Sequence, residues 1–218
     1  MKRSKMYDRD YYERGVQLGI SGYTNYRWIP ELTIPMCQRM CQYLDIPSSA
    51  KILDFGCAKG FIVRALTELG YECYGTDISE YAIADSNFQI KDRLSLYKGG
   101  ESSFILEGHQ FDFTIAKDVF EHIPVPDLEE VLEVLYKVSK KIFCIVPLGK
   151  DGKYVAPEYE QDVTHIIRED MEWWVQMFEK HGYIVERSTY RVPGIKDNWA
   201  HYKKGNGFIT ARRKEEEK

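Results

Sequence analysis

The sequence predicts an α/β protein, a doubly wound and mostly parallel sheet with helices on both faces. Three observations predict it. From Lys51 onward, short apolar runs alternate with stretches whose apolar residues recur at helical spacing. The first of these runs opens directly into a glycine-rich turn. The first two runs also carry acidic residues near their ends, Asp54 and Asp77, where sheets of this kind hold their ligands.

Each element has its own signal. Lys51-Ile52-Leu53-Asp54-Phe55 is an apolar run of the kind found in buried parallel strands. Phe61, Ala65, Leu66 and Leu69 then fall on one helical face, and Gly70 stops the helix. Residues 72–77 read as a second strand, and Ser79 is placed to cap a helix through Tyr81, Ile83 and Ala84. Residues 93–97 form a short third strand before Gly99-Gly100, and 111–116 a fourth. After Pro124 and Pro126, Asp127 is expected to cap a helix that buries Leu128, Val131, Leu132, Leu135 and Val138. Residues 141–148 are a fifth strand. A helix over 168–181 follows, with Trp173, Trp174 and Phe178 read as core, and Gly182 ends it. Segments 183–190 and 207–212 are expected to pair as antiparallel strands across a long connection.

Residues 1–48 have a different character, rich in Tyr, Arg and Pro, with helical periodicity clear only over 35–44. They read as an extension packed over the strand ends. Its segment 22–30 suits a lid that excludes water, or equally plain packing of aromatics on the sheet edge. Residues 49–213 form the main domain, and 214–218 a solvated tail.

The 218 residues are 44% hydrophobic, enough for one core without metals or cross-links. A net charge of −4 with mixed signs gives no reason to expect nucleic acid as a partner. The five cysteines are scattered and odd in number, and Cys37 and Cys41 have no second ligand pair. Reduced thiols in a cytoplasmic protein are expected. No apolar stretch suits a signal peptide or a membrane span. Oligomeric state leaves no mark on the sequence.

The chemistry concentrates in Asp54-Phe55-Gly56-Cys57-Ala58-Lys59-Gly60. Glycines in such a turn permit positive φ and let a ligand approach the backbone. The helix beginning near Gly60 aims unpaired N–H groups at an anion. Asp77 is placed to accept hydrogen bonds from both hydroxyls of a ribose. Together they describe a site for an adenosine-containing cofactor with an anionic end. A dinucleotide fold needs G-x-G-x-x-G, and here Ala58 and Phe61 stand at its second and third glycine positions. Phe61 would clash there, which weighs against a nicotinamide cofactor. Ala58 is tolerable in the turn if its φ is negative, and Lys59 is expected to be solvated.

The pattern resembles the class I S-adenosylmethionine-dependent methyltransferase signature, acidic-x-G-x-G-x-G, filled by Asp54, Gly56, Ala58 and Gly60. Tyr74-Gly75-Thr76-Asp77-Ile78-Ser79 is similar to the second motif of that family. The run from Phe111 through Lys117-Asp118-Val119-Phe120-Glu121-His122-Ile123-Pro124 is similar to its fourth-strand motif. The resemblance covers roughly residues 50–212. It implies a seven-stranded sheet with the last strand antiparallel, between the fifth and sixth. It also implies S-adenosyl-L-methionine as cofactor. Asp54, Gly56, Cys57 and Gly60 would surround its methionine part, with Phe61 beside them. Asp77 would take the ribose and Ile78 the adenine, while Lys117 and Asp118 would lie near the sulfonium and the acceptor.

A sulfonium is already an activated methyl donor, so catalysis is mainly positioning plus removal of a proton from the acceptor. His122 is one candidate base, with fixing of the loop before Pro124 as its alternative role, and His165, in a loop at the same sheet edge, is another. The Asn/Asp-Pro-Pro-Tyr motif of adenine and amide methylation is replaced by Ala116-Lys117-Asp118-Val119. Asp118 is one potential oxygen ligand for a metal, but no set completes it, and no metal is expected. The whole arrangement looks similar to small-molecule methyltransferases of sugar and polysaccharide biosynthesis clusters, which implies a small polar acceptor, oxygen or nitrogen on a sugar or nucleotide-sugar-like metabolite. Methylation of protein or RNA is the alternative enzyme reading, and a cofactor-binding scaffold without turnover the non-enzymatic one.

Overall fold

Short apolar runs need partners on both faces, and the fold supplies them from two sides. The computed structural model describes residues 3–100, 106 and 108–214. Most of the expected solvated tail, residues 215–218, lies outside the described residues. The extension comprises a 3-10 turn (Arg3–Met6), α1 (Arg9–Glu13), α2 (Gly15–Leu18) and α3 (Pro30–Tyr43). Asp8 caps α1, its carboxylate accepting from the backbone N–H groups of Asp10 and Tyr11. Periodicity placed the start of α3 at Pro35, but the helix begins at Pro30, where proline sacrifices no hydrogen bond.

Then follow β1 (Lys51–Phe55), α4 (Phe61–Glu68), β2 (Glu72–Asp77), α5 (Glu80–Ala84), β3 (Leu94–Leu96) and β4 (Phe111–Lys117). The second half contains α6 (Val125–Val138), β5 (Ser139–Pro147), β6 (Gly149–Lys150), β7 (Lys153–Tyr154), α7 (Met171–Lys180), β8 (Tyr183–Thr189) and β9 (Asn206–Arg213). Ser79 caps α5 as expected, accepting from Ala82 N–H. Two further helix starts differ from expectation. Pro124 occupies the N-cap of α6, so Asp127 sits in its first turn and complements the helix dipole instead of capping. The last helix begins at Met171, not near Arg168, because Asp170 caps it by accepting from Trp173 N–H at 3.0 Å.

The strand order is β3-β2-β1-β4-β5-β9-β8. Neighbours from β3 to β5 are parallel, while β9 runs antiparallel to both β5 and β8. This is the seven-stranded sheet that the resemblance implied. Period-2 alternation divides each central strand between two cores. Ile142, Cys144 and Val146 of β5 and Leu53 and Phe55 of β1 pack under α6 and α7, with Trp174 and Phe178 fully enclosed and Trp173 at the margin. Phe143 and Ile145 of β5, with Ile52 of β1, face the opposite side under α3 and α4, against Met40, Val63 and Leu66. Because the strand order reverses between β1 and β4, the turns after them diverge and leave a crevice at their carboxyl ends. Among the described residues, no helix is long and apolar enough to cross a membrane.

Candidate active site

The turn from β1 into α4 is shaped by backbone conformations that few residues adopt. Gly56 and Gly60 both have φ of 77°. A Cβ on Gly56 would lie 2.3 Å from Val119 Cγ2, and one on Gly60 would lie 2.8 Å from Ile90 Cδ1 and Leu94 Cδ1. Ala58 also stands in the left-handed region, with φ of 48°. The negative φ expected there is not what the turn requires, because Ala58 directs its N–H onto Asp77 Oδ2 at 2.7 Å. Lys59 is not solvated. Its ammonium lies 2.5 Å from Glu13 Oε1 and 2.8 Å from Asp85 Oδ2, and it donates to Tyr26 O at 2.9 Å.

Two carboxylates face this turn. Asp77 accepts from Ala58 N–H and, through Oδ1, from Ser79 N–H at 2.8 Å. Burial raises its pKa and these backbone donors pull it back. Asp54 is 2% exposed, and its Oδ2 has no hydrogen-bond partner. Burial and the nearby Asp77 charge push its pKa up to about 8, against the opposing pull of Lys117. Buried acceptors are normally hydrogen-bonded, so this oxygen stands out among the residues of the turn.

The crevice is a cavity of about 950 Å³. Asp54, Gly56, Cys57, Phe61, Asp77, Ile78, Lys117, Asp118 and His122 all line it. Gly60 does not, since its place is at the start of α4 against Ile90 and Leu94. His165 is also outside the lining; its ring lies behind His122 with centroids 4.5 Å apart. At the end of β4, Asp118 adopts φ of 56° and pairs with Lys117 at 2.5 Å and with the buried ammonium of Lys196. Burial opposes ionisation of Asp118, but the two ammoniums outweigh it and hold its carboxyl far below the usual range. His122 is held down to about 3 by burial and by His165, and burial lowers His165 as well. Both rings are therefore neutral near pH 7 and of low basicity, which suits an oriented acceptor or ligand better than a strong base.

The extension closes one wall. Tyr7 O accepts from Ser79 Oγ at 2.6 Å, the Arg3 guanidinium donates to His122 O, and the Tyr26 ring lies 4.9 Å from that of Phe61. Tyr11 donates to Asp162 Oδ2 at 2.7 Å.

Residues 28–192, well over half of the chain, match the family model described as a methyltransferase domain. The chain belongs to that methyltransferase family. An O-methyltransferase of ubiquinone biosynthesis from Azoarcus sp. (strain BH72) is 30% identical over 87 residues, covering 35% of each chain. The match thus spans about a third of the length of that relative. Among solved structures, magnesium protoporphyrin IX methyltransferase from Synechocystis PCC 6803 with bound SAH has a TM-score of 0.60 at 13% identity, covering 96% of this chain and 92% of that one. The mitomycin 7-O-methyltransferase MmcR has a TM-score of 0.57 at 17% identity, covering 84% of this chain and 54% of that one. These structures share the fold of the methyltransferase domain, whose cofactor is S-adenosylmethionine.

The structure also places residues that sequence reading did not select at or near this cavity. Lys196 comes from the long connection between β8 and β9, and no motif marks it. Glu121, beside the selected His122, is fully buried with both carboxylate oxygens unpartnered. Its sequence signal was its place in the fourth-strand motif, between Phe120 and the selected His122. Tyr11 lies in a helix too short to show periodicity, and Tyr7 in the bend before it.

Proposed function

We propose that this protein transfers the methyl group of S-adenosylmethionine to an oxygen or nitrogen of a small polar acceptor, with a hydroxyl of a sugar-like metabolite as the leading class. The observation that carries the reading is the open Asp54 carboxylate beside Gly56, in one cavity with Asp77 and the polar end of β4. These residues fit the cofactor. Asp54 would accept from its amino group, the missing Cβ of Gly56 admits it to the backbone, and Asp77 retains lone pairs for the ribose hydroxyls. Ile78 would lie against the adenine. When bound, the cofactor supplies an electrophilic methyl on a positively charged sulfur.

The chain's own contribution is positioning. The Asp118–Lys117–Lys196 ion pairs hold the floor of the acceptor end rigid, and the aromatic wall of the extension restricts water. A volume of about 950 Å³ suits a small molecule bound next to a cofactor. Oxygen is favoured as acceptor because the Azoarcus relative is named an O-methyltransferase.

Calorimetry with S-adenosylmethionine and its demethylated product SAH tests the donor half, and absence of binding at millimolar concentration would overturn it. Transfer of isotope-labelled methyl to a panel of sugars, nucleotide sugars and phenols tests the acceptor half. The expected result is one labelled, base-stable methyl ether; label recovered only on protein or RNA would exclude a small acceptor.

A further inference from the structure

Behind the cavity wall, Glu121, His122 and His165 bring one carboxylate oxygen and two imidazole nitrogens within 4.8 Å of one another. Glu121 Oε1 lies 3.9 Å from Nε2 of His122 and 3.9 Å from Nε2 of His165, too far for hydrogen bonds. The remaining bonds of the two rings decide what those nitrogens present. His165 Nδ1 lies 2.8 Å from the carbonyl oxygen of Tyr159, which only accepts, so Nδ1 carries the proton. His122 Nδ1 lies 2.8 Å from Thr164 Oγ1, whose own hydrogen is donated to Asp162 Oδ1 at 2.5 Å. Nδ1 of His122 is therefore the donor in that pair too.

In a neutral ring, Nε2 of each histidine then holds a lone pair, and both lone pairs converge on an unpartnered carboxylate with no exposure to solvent. Neither carboxylate oxygen has a partner and neither Nε2 has a hydrogen of its own to offer, so the three atoms are arranged as a donor set around a common point that a cation would satisfy.

We propose that Glu121, His122 and His165 form a binding site for one divalent first-row transition ion of the zinc, manganese or cobalt type. Two imidazoles and a carboxylate match the softness of these ions, whereas magnesium and calcium prefer all-oxygen sets. Bonds of about 2.0–2.2 Å place ligand atoms about 3.3 Å apart, so inward shifts of less than about 1 Å close the site. The Thr164 and Tyr159 contacts are the outer bonds that aim metal-binding histidines and fix their tautomer. Three protein ligands leave coordination open, and His122 is the member that lines the cavity. On the methyl-transfer reading, that open side would hold and polarise an acceptor hydroxyl; the metal site itself does not depend on that reading.

The test uses the full chain, stripped with a chelator and titrated with Co²⁺ alone, then with Zn²⁺ in competition. The expected result is one equivalent of Co²⁺ with visible absorption bands, displaced by Zn²⁺. Glu121→Gln and His165→Ala should each weaken binding at least tenfold. Thr164→Val, which removes no ligand, should weaken it about tenfold, and Thr164→Ser should restore it. SAH calorimetry on the same samples confirms a folded cofactor site; if Glu121→Gln does not fold, Thr164→Val against Thr164→Ser decides. Wild-type protein that binds SAH but no stoichiometric ion overturns the proposal and leaves the methyltransferase reading intact. Equal ion binding by wild type and the variants overturns it as well. Ion binding without SAH binding would instead count against the proposed function.

Discussion

Ala58 keeps a left-handed backbone conformation that costs a non-glycine residue roughly 1–3 kcal/mol. The turn holds it there because its N–H is needed by Asp77, and because Gly56 and Gly60 fix the chain on either side. Ala58→Gly should relieve the strain, offset in part by the greater freedom of glycine in the unfolded chain. A net gain of about 1 kcal/mol is expected in urea unfolding. A loss would show that the Ala58 methyl, packed among Tyr7, Tyr11 and Tyr12, is worth more than the strain. The acids of this turn were legible in the sequence because an acid in or at the end of an apolar strand has few other uses. The backbone state of Ala58 was not, since φ is imposed by the bonds around it.

At the scale of elements, α1 is five residues long and has too little length to be stable alone. It is fastened from outside, by Glu13 on Lys59 and by Tyr11 on Asp162. Lys59 is 5% exposed and also bridges to Asp85 just after α5, so one ammonium ties the extension to the turn after β1. Lys59→Met should free α1 while leaving the two sheet cores untouched. Limited proteolysis should then cut the segment before Pro30 several times faster, with little change in the thermal unfolding of the main domain. Unchanged cleavage would mean that the tyrosine cluster alone anchors the extension. We propose the extension as a lid on the same grounds, and saturating SAH should slow cleavage of the wild-type segment if it closes over cofactor. Length explains why the sequence showed α3, α4, α6 and α7 but neither α1 nor α2: periodicity needs several turns to be visible.

The whole molecule carries a pH signature from its enclosed acid. Asp54 has its folded pKa raised from 3.8 to about 8, so between about pH 4 and 8 the unfolded chain is ionised there while the folded chain keeps the proton. The contribution of Asp54 to stability is thus present at low pH and declines as pH rises through that window. On the proposed cofactor site, binding would run the other way, because the amino group of the ligand would favour the carboxylate. SAH affinity should strengthen from pH 6 to 8 by up to about tenfold per unit, and Asp54→Asn should weaken binding and flatten the profile. Titration of the ligand's amino group is common to both proteins and cancels in the comparison. A wild-type profile identical in shape to that of Asp54→Asn would remove Asp54 from the cofactor site.

Sequence alone determined what depends on neighbours along the chain. The alternation of strands and helices, the glycine turn after β1, and the acids on β1 and β2 are local patterns; they pointed to a doubly wound sheet and an adenosine-containing cofactor, and the resemblance to a methyltransferase family supplied the donor. Tertiary structure decided what depends on residues far apart meeting. Sheet order brought β4 beside β1 and opened the crevice, and the long connection delivered Lys196 to Asp118. The loop after β7 set His165 against Glu121 and His122, a grouping that spacing along the chain did not show. The turn after β1 was readable as a cofactor loop, but its strained Ala58 and its open Asp54 oxygen exist only once burial and hydrogen bonding surround them.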